Sequence, residues 1–147
     1  MSELPRRIVS RLRRFFGNRR RKKRALVRLT FKLSLADPRT TSNGARRLPS
    51  LTGHTLDLSR DGLAMIVPAI RVGEHYLVGN ERRLYVKLEL PDAPIEMTVV
   101  PVRYESFEED AAETGYLIGA RITEISDGDR ANLHKFLKEV LAKQAGG

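Results

Sequence analysis

A chain of 147 residues, 41% hydrophobic and 31% charged, suits one domain with tails: it can bury a core, and no window approaches the ~18 consecutive apolar residues of a membrane span. The absence of cysteine excludes disulfides, thiolate metal sites and cysteine nucleophiles together, and suits a reducing cytoplasm. The net charge of +9 is unevenly spread: residues 1–32 hold thirteen Lys or Arg against Glu3 alone (+12), whereas residues 33–147 hold fourteen basic against seventeen acidic groups (−3), so the positive field belongs to an N-terminal arm able to attract phosphates, nucleic acid or anionic lipid.

Residues 1–22 form that arm. Leu4, Ile8, Leu12, Phe15 and Phe16 recur near helical spacing with arginines between them, which predicts a short basic amphipathic helix over residues 4–16. Such a helix suits a membrane surface or a partner; it equally suits packing against its own domain or a solvated tail. The arm lacks the apolar run and small-residue cleavage site of a secretory signal, so a cytoplasmic protein, peripheral to the membrane if the helix binds there, is expected. The run "RRRKKR", residues 19–24, is too charged to pack and predicts an extended linker.

Residues 23–143 have a different character. "LVRLTFKLSL" places Leu29, Phe31, Leu33 and Leu35 at period two, predicting one half-buried strand over 26–35, followed by a loop rich in Pro, Gly, Ser and Asn. Further strands are expected at 51–57, 62–68, 82–90, 95–106 and 115–124, with turn residues such as Pro91-Asp92-Ala93-Pro94 between them. "IRVGEHYLVGN" reads as a short strand or a loop over one mouth, and "ESFEEDAAETG" as an acidic hairpin tip. Leu133, Phe136, Leu137, Val140 and Leu141 share one helix face behind the candidate caps Ser126 and Asp127. Residues 144–147 read as a disordered tail. The fold class is mainly β: a six-stranded antiparallel barrel with a C-terminal helix that plugs it and a basic N-terminal helix and arm.

Catalytic machinery is not visible. His54, His75 and His134 are far apart, no HExxH, GxSxG, Walker-type or GxGxxG spacing occurs, and each histidine reads as an ordinary surface or partly buried residue. The acids Glu108, Glu109, Asp110 and Glu113 sit on the predicted hairpin tip, a solvated place unsuited to acid and base work. No catalytic residue, metal ligand or cofactor is assigned, and an enzyme is not expected.

Two motifs remain. Arg24 and Arg28 form an RxxxR where the linker enters the first strand, and "DLSRDG" joins the next two strands. An arginine fork donates two parallel hydrogen bonds to a phosphate or to guanine O6 and N7. An ionised Asp57 only accepts, which suits the N–H donors of guanine's Watson–Crick edge, while the Ser59 hydroxyl can do either. Gly62 lets backbone or ligand approach closely, or adopts positive φ. Taken alone DxSxxG is also an Asx-type turn, and Arg20 with Arg24 makes a second RxxxR in this basic tract.

Together the motifs resemble the PilZ domain, a bacterial receptor domain for cyclic di-GMP. The likeness extends over residues 23–142: "LYVKLELPDAPIEMTVVPVRY" is similar to the family's two central strands, "GYLIGARI" to its last strand and "SDGDRANLHKFLKEVL" to its terminal helix. The resemblance implies that Arg24 and Arg28 hold phosphate and guanine, often of an intercalated ligand dimer, and that Asp57, Ser59 and Gly62 form the second half of the site. Lys23 and Arg20 are further candidates, Lys23 standing where many members carry a basic residue. The segments 36–50 and 76–80 depart from the family in length. The expected function is a non-enzymatic receptor that passes its signal on by ordering the arm to an effector protein of motility, pilus or exopolysaccharide machinery. The alternative is a nucleic-acid-binding barrel with a phosphate-clamping tail. Against it, the strands from 82 onward lack the stacking aromatics such a barrel uses, so no nucleic acid is expected as partner.

Overall fold

The computed structural model describes residues 24–35, 50–72, 75–79, 82–110 and 113–146. The predicted N-terminal helix, Arg20, Lys23 and most of the 36–50 loop lie outside them. In chain order the elements are β1 (Ala25–Leu26), β2 (Thr30–Ser34), β3 (Ser50–Leu58), β4 (Gly62–Val67), β5 (Arg71–Val72), β6 (His75–Tyr76), β7 (Leu84–Glu89), β8 (Pro94–Asp110), β9 (Glu113–Ile125) and α1 (Asp127–Gly146).

Period-two alternation closes these strands into a barrel. Going round, β3, β2, β7, β8, β9 and β4 are neighbours, and β4 pairs with β3 to complete a closed six-stranded antiparallel ring. Closure leaves one inner face for the apolar set to occupy. Phe31, Leu33, Leu58, Leu63, Met65 and Ile118 are fully buried there. β4 is buried on both faces: Leu63, Met65 and Val67 belong to the core, while Ala64 and Ile66, at the opposite parity, are buried apart from it, as are Leu56 and Leu117. The continuous apolar run "LAMIV" is the sequence form of that double burial.

The expected single strand over 26–35 is two strands with a break at residues 27–29. β1 pairs with the end of β3 (Ala25↔Leu58, Leu26↔Asp57), and β2 pairs with its beginning (Thr30↔His54 to Ser34↔Ser50). Thr55 fills the gap. Its hydroxyl accepts from the Leu29 N–H (2.9 Å) and donates to the Val27 carbonyl, and its own N–H reaches the Leu29 carbonyl (2.9 Å). A side chain thus replaces the ladder bond the interruption removes.

The C-terminal helix starts as its sequence indicates. Ser126 Oγ accepts the Asp129 N–H (3.1 Å), an N-cap bond, and Asp129 Oδ2 accepts the Glu96 N–H (3.0 Å), fixing the first turn to β8. Leu133 and Leu137 enter the barrel core, with Phe136, Val140 and Leu141 packed against it. The helix runs to Gly146, through residues expected as a tail; Gln144 Nε2 donates to the Leu26 carbonyl (2.9 Å), so its last turn is tied to β1. β5 and β6 form a separate antiparallel two-stranded ribbon, with Val72 of β5 and Leu77, just after β6, buried in the core, so a short strand pair stands where a short strand or a loop was expected. The acidic stretch expected as a hairpin tip is mostly strand, since β8 continues to Asp110 and β9 resumes at Glu113. Among the described residues no helix is long and apolar enough to cross a membrane.

Candidate functional site

β1 is two residues long, yet its register decides where the arm enters. Pairing Leu26 with Asp57 and Ala25 with Leu58 sets Arg24 beside the end of β3. Arg24 Nη1 donates to Asp57 Oδ1 at 3.1 Å across 33 positions of sequence. The Asp57 side chain is 3% exposed and that of Arg24 17%, so the pair sits at the rim of the interior. Burial pushes the Asp57 carboxyl above the ordinary carboxylate value, because a desolvated charge is costly; the Arg24 charge and hydrogen bond and the Ala64 N–H pull the other way without overcoming it. A β-bulge lies between Thr55 and Asp57 in the β3–β4 ladder. The extra residue bends the strand where Asp57 must be presented.

The turn after Asp57 is closed by its own serine. Ser59 is fully buried; its Oγ accepts from the N–H groups of Asp61 (3.3 Å) and Gly62 (3.2 Å) and donates to the Gly62 carbonyl (3.2 Å), which also receives the Ser59 N–H (2.9 Å). This is a serine-closed hydroxyl turn. The Asp61 carbonyl accepts the Ile122 N–H (2.7 Å), stitching the turn to β9. Gly62 is required by that approach, and its φ is not positive: a Cβ there would lie 2.4 Å from the Ala120 carbonyl oxygen. The close neighbour is the β9 backbone.

Arg28 lies in the break between β1 and β2, exposed, with its charge close to His54. His54 stands three residues before Asp57 on β3. Burial and, secondarily, the Arg28 charge lower its pKa from the ordinary 6.5, and its buried Nε2 has no hydrogen-bond partner among the described residues. So the structure joins Arg24 to Asp57, sets Ser59 and Gly62 in the adjoining turn, and brings the Arg28 charge near enough to His54 to lower its pKa.

Two residues of this region were not singled out by the sequence as site residues. Thr55 fixes the backbone on either side of Arg28. Its signal was available: within "LTGHTL" it has the inward parity of Leu51 and Gly53, and a polar side chain facing a core needs partners. His54 has the outward parity, which separates it from solvent-facing histidines only once Arg28 is known to lie beside it.

A profile of the PilZ domain matches residues 18–139. The chain belongs to the PilZ domain family. Comparison with curated protein sequences returns no match. Among solved structures, this PilZ domain is similar to the PilZ domain with c-di-GMP of YcgR from Escherichia coli, at TM-score 0.63 and 14% identity over 86% of this chain and 95% of that one. It is similar also to K. pneumonia MrkH in its c-di-GMP complex (TM-score 0.64, 13% identity, 87% and 54% covered). A third likeness is the Bacillus subtilis inhibitor of motility MotI/DgrA (TM-score 0.56, 17% identity, 88% and 52% covered). The chain therefore spans nearly all of the isolated YcgR domain but about half the length of MrkH and MotI. At these identities the likeness establishes the shared PilZ fold.

Proposed function

We propose that this PilZ domain is a non-enzymatic receptor for cyclic di-GMP, acting in the bacterial cytoplasm. Arg24 and Arg28 come from the arm side, and Asp57, Ser59 and Gly62 from the β3–β4 turn; Lys23 and Arg20 add charge. The observation that carries this is the Arg24–Asp57 contact, which puts a guanidinium fork and a buried acceptor-only carboxylate at one place. Guanine N1–H and N2–H₂ are donors of the kind Arg24 supplies to Asp57, so the ligand's base edge can take over the carboxylate and leave the arginine fork to phosphate. Adenine offers no such pair of donors and would leave Asp57 desolvated and unpaired, costing about 1–3 kcal/mol or more.

The dianionic ligand would neutralise several arginines of a self-repelling arm and draw it across the barrel, an ordering step driven by new phosphate contacts. The reading is supported by membership of the family and by the c-di-GMP complexes of YcgR and MrkH. The output passes through the arm and residues 4–16 to an effector protein or a membrane surface.

Calorimetric titration tests the site. The parent chain is expected to bind cyclic di-GMP and to discriminate against cyclic di-AMP. Arg28→Ala and Asp57→Ala should each bind at least about thirtyfold more weakly, the equivalent of ~2 kcal/mol. Parent-like affinity in either variant removes the assignment. Salt-steep, sequence-tolerant binding of duplex DNA with no dinucleotide binding transfers the chain to the nucleic-acid reading.

A further inference from the structure

His54 and Asp57 are three positions apart on β3, which in a regular strand would put them on opposite faces. The ladder with β4 places them on the same one. His54 is opposite Ile66 and Asp57 is opposite Ala64, two residues along and therefore on the same side of β4; the bulge between Thr55 and Asp57 supplies the extra residue that brings this about. Arg28 belongs to the same stretch. Thr55 bonds Val27 and Leu29, so the residue between them is fixed along β3 between Leu26, which is opposite Asp57, and Thr30, which is opposite His54. The His54 Nε2 is buried with no hydrogen-bond partner among the described residues, a costly state that a donor brought to it would relieve.

The surroundings say which donor. Towards β4 and β9 the face is apolar, with Ile66 and then Leu117, and the next carboxylate, Glu105 of β8, is beyond them. Towards β2 it carries Thr30 and, two residues on, Lys32; on β3 itself it carries Asp57, already bonded to Arg24. Of these charges and that of Arg28, it is Arg28 that acts on the imidazole, adding to burial in holding it below its ordinary pKa.

We propose that His54 is the positioning residue of Arg28: neutral, with its lone pair on Nε2, it accepts an N–H of the Arg28 guanidinium as the arm closes, and so sets the second arginine of RxxxR on the face that carries Asp57. This role rests on the receptor function proposed above and deepens it. A guanidinium has five N–H donors, so one goes to His54 and the rest serve phosphate and guanine. A proton on Nε2 removes the acceptor and sets an imidazolium beside a guanidinium. Proton and dinucleotide therefore oppose one another: affinity is full above the folded pKa of His54 and falls below it.

The experiment is calorimetric titration of the full chain with cyclic di-GMP between about pH 7.5 and about pH 5, on the parent, His54→Gln and His54→Ala. Glutamine keeps an acceptor and takes up no proton. On acidification the parent should weaken by at least about threefold more than His54→Gln, a difference that belongs to His54 because Asp57 is present in both. At the upper pH, His54→Gln should bind within about threefold of the parent and His54→Ala at least about fivefold more weakly. Nitrogen NMR of the ligand-bound parent gives a readout that needs no variant, should one fold poorly: the neutral imidazole should carry its proton on Nδ1. A proton on Nε2 overturns the inference, as does affinity that grows on acidification, the behaviour of an imidazolium bound to phosphate. Parallel pH profiles in the parent and His54→Gln remove this role alone and leave the receptor function standing. A parent that binds no dinucleotide at any pH removes the receptor function and this role with it.

Discussion

The β3–β4 and β8–β9 hairpins belong to one sheet and use burial in opposite ways. The β3–β4 hairpin is short and its polar groups are inside: Asp57 is 2% exposed and Ser59 0%, each held by hydrogen bonds to a neighbouring strand or to its own turn. The β8–β9 hairpin is long and carries exposed Val102, Arg103 and Tyr104 on an edge that outruns β7. On the proposed function the first reads a small ligand, where a pre-positioned, desolvated acceptor makes a wrong donor set costly. The second is a two-stranded extension of the barrel, held by its ladder with β9 rather than by buried polar groups. Position in the sheet separates the two.

Substitutions that unsettle the buried end should have the largest effects. Arg24→Ala removes the partner of a buried carboxylate: cyclic di-GMP affinity should fall by about 2–5 kcal/mol in calorimetry, and denaturant unfolding should show a stability loss of about 1–3 kcal/mol. Arg28→Ala separates these effects, because an exposed arginine leaves stability within about 0.5 kcal/mol while binding still falls. Gly62→Ala sharpens the same contrast within the turn. Its Cβ meets the Ala120 carbonyl, so the strands must part, at about 1–3 kcal/mol, and the melting temperature should drop by roughly 3–10 °C.

Acid titration probes the buried hairpin more gently. His54 has a folded pKa below the ordinary 6.5, so as pH falls through 6.5 the unfolded chain takes up the proton first. Stability is full above that value and declines towards the folded pKa. Asp57 is shifted upward from 3.8, so the folded state holds its proton longer, and stability declines as pH rises from 3.8 through the raised value. Denaturant midpoints against pH should lose the first slope in His54→Gln and the second in Asp57→Asn. The smallest effect belongs to the exposed hairpin: Tyr104→Ser should alter stability by no more than about 0.5 kcal/mol in the same assay. A larger loss would mean that Tyr104 is packed, and the contrast between the hairpins would fail.

Much of the fold is written locally. Strand alternation in "LYVKLEL" and "GYLIGARI", and the spacing of Leu133, Phe136, Leu137, Val140 and Leu141, locate the later strands and the final helix because period and secondary structure are the same fact. The break after Leu26 could not be read this way. "LVRLTFKLSL" alternates through it, and the groups left at the break are satisfied by Thr55, whose hydroxyl arrives from β3. The acidic run before Ala111 suggested a hairpin tip for a similar reason: a run of charge is compatible with a turn and with a strand, and pairing with β9 decides between them. In the site, RxxxR and DxSxxG are visible as patterns. That Ser59 closes its own turn, and that Gly62 makes room for the β9 backbone, depend on Asp61, Ala120 and Ile122 being where they are.

By itself the sequence determined which segments would be strands, which would be the terminal helix, and where the positive charge would lie, since these follow from periodicity and composition within a few residues of each position. The tertiary structure alone decided that Arg24 and Asp57 meet, that the first strand breaks where Thr55 bonds Val27 and Leu29, and that β8 runs on with β9 past its last pair with β7. Each of those is a contact between residues dozens of positions apart or a matter of which strand stops first, and register between strands is set by the closed barrel as a whole.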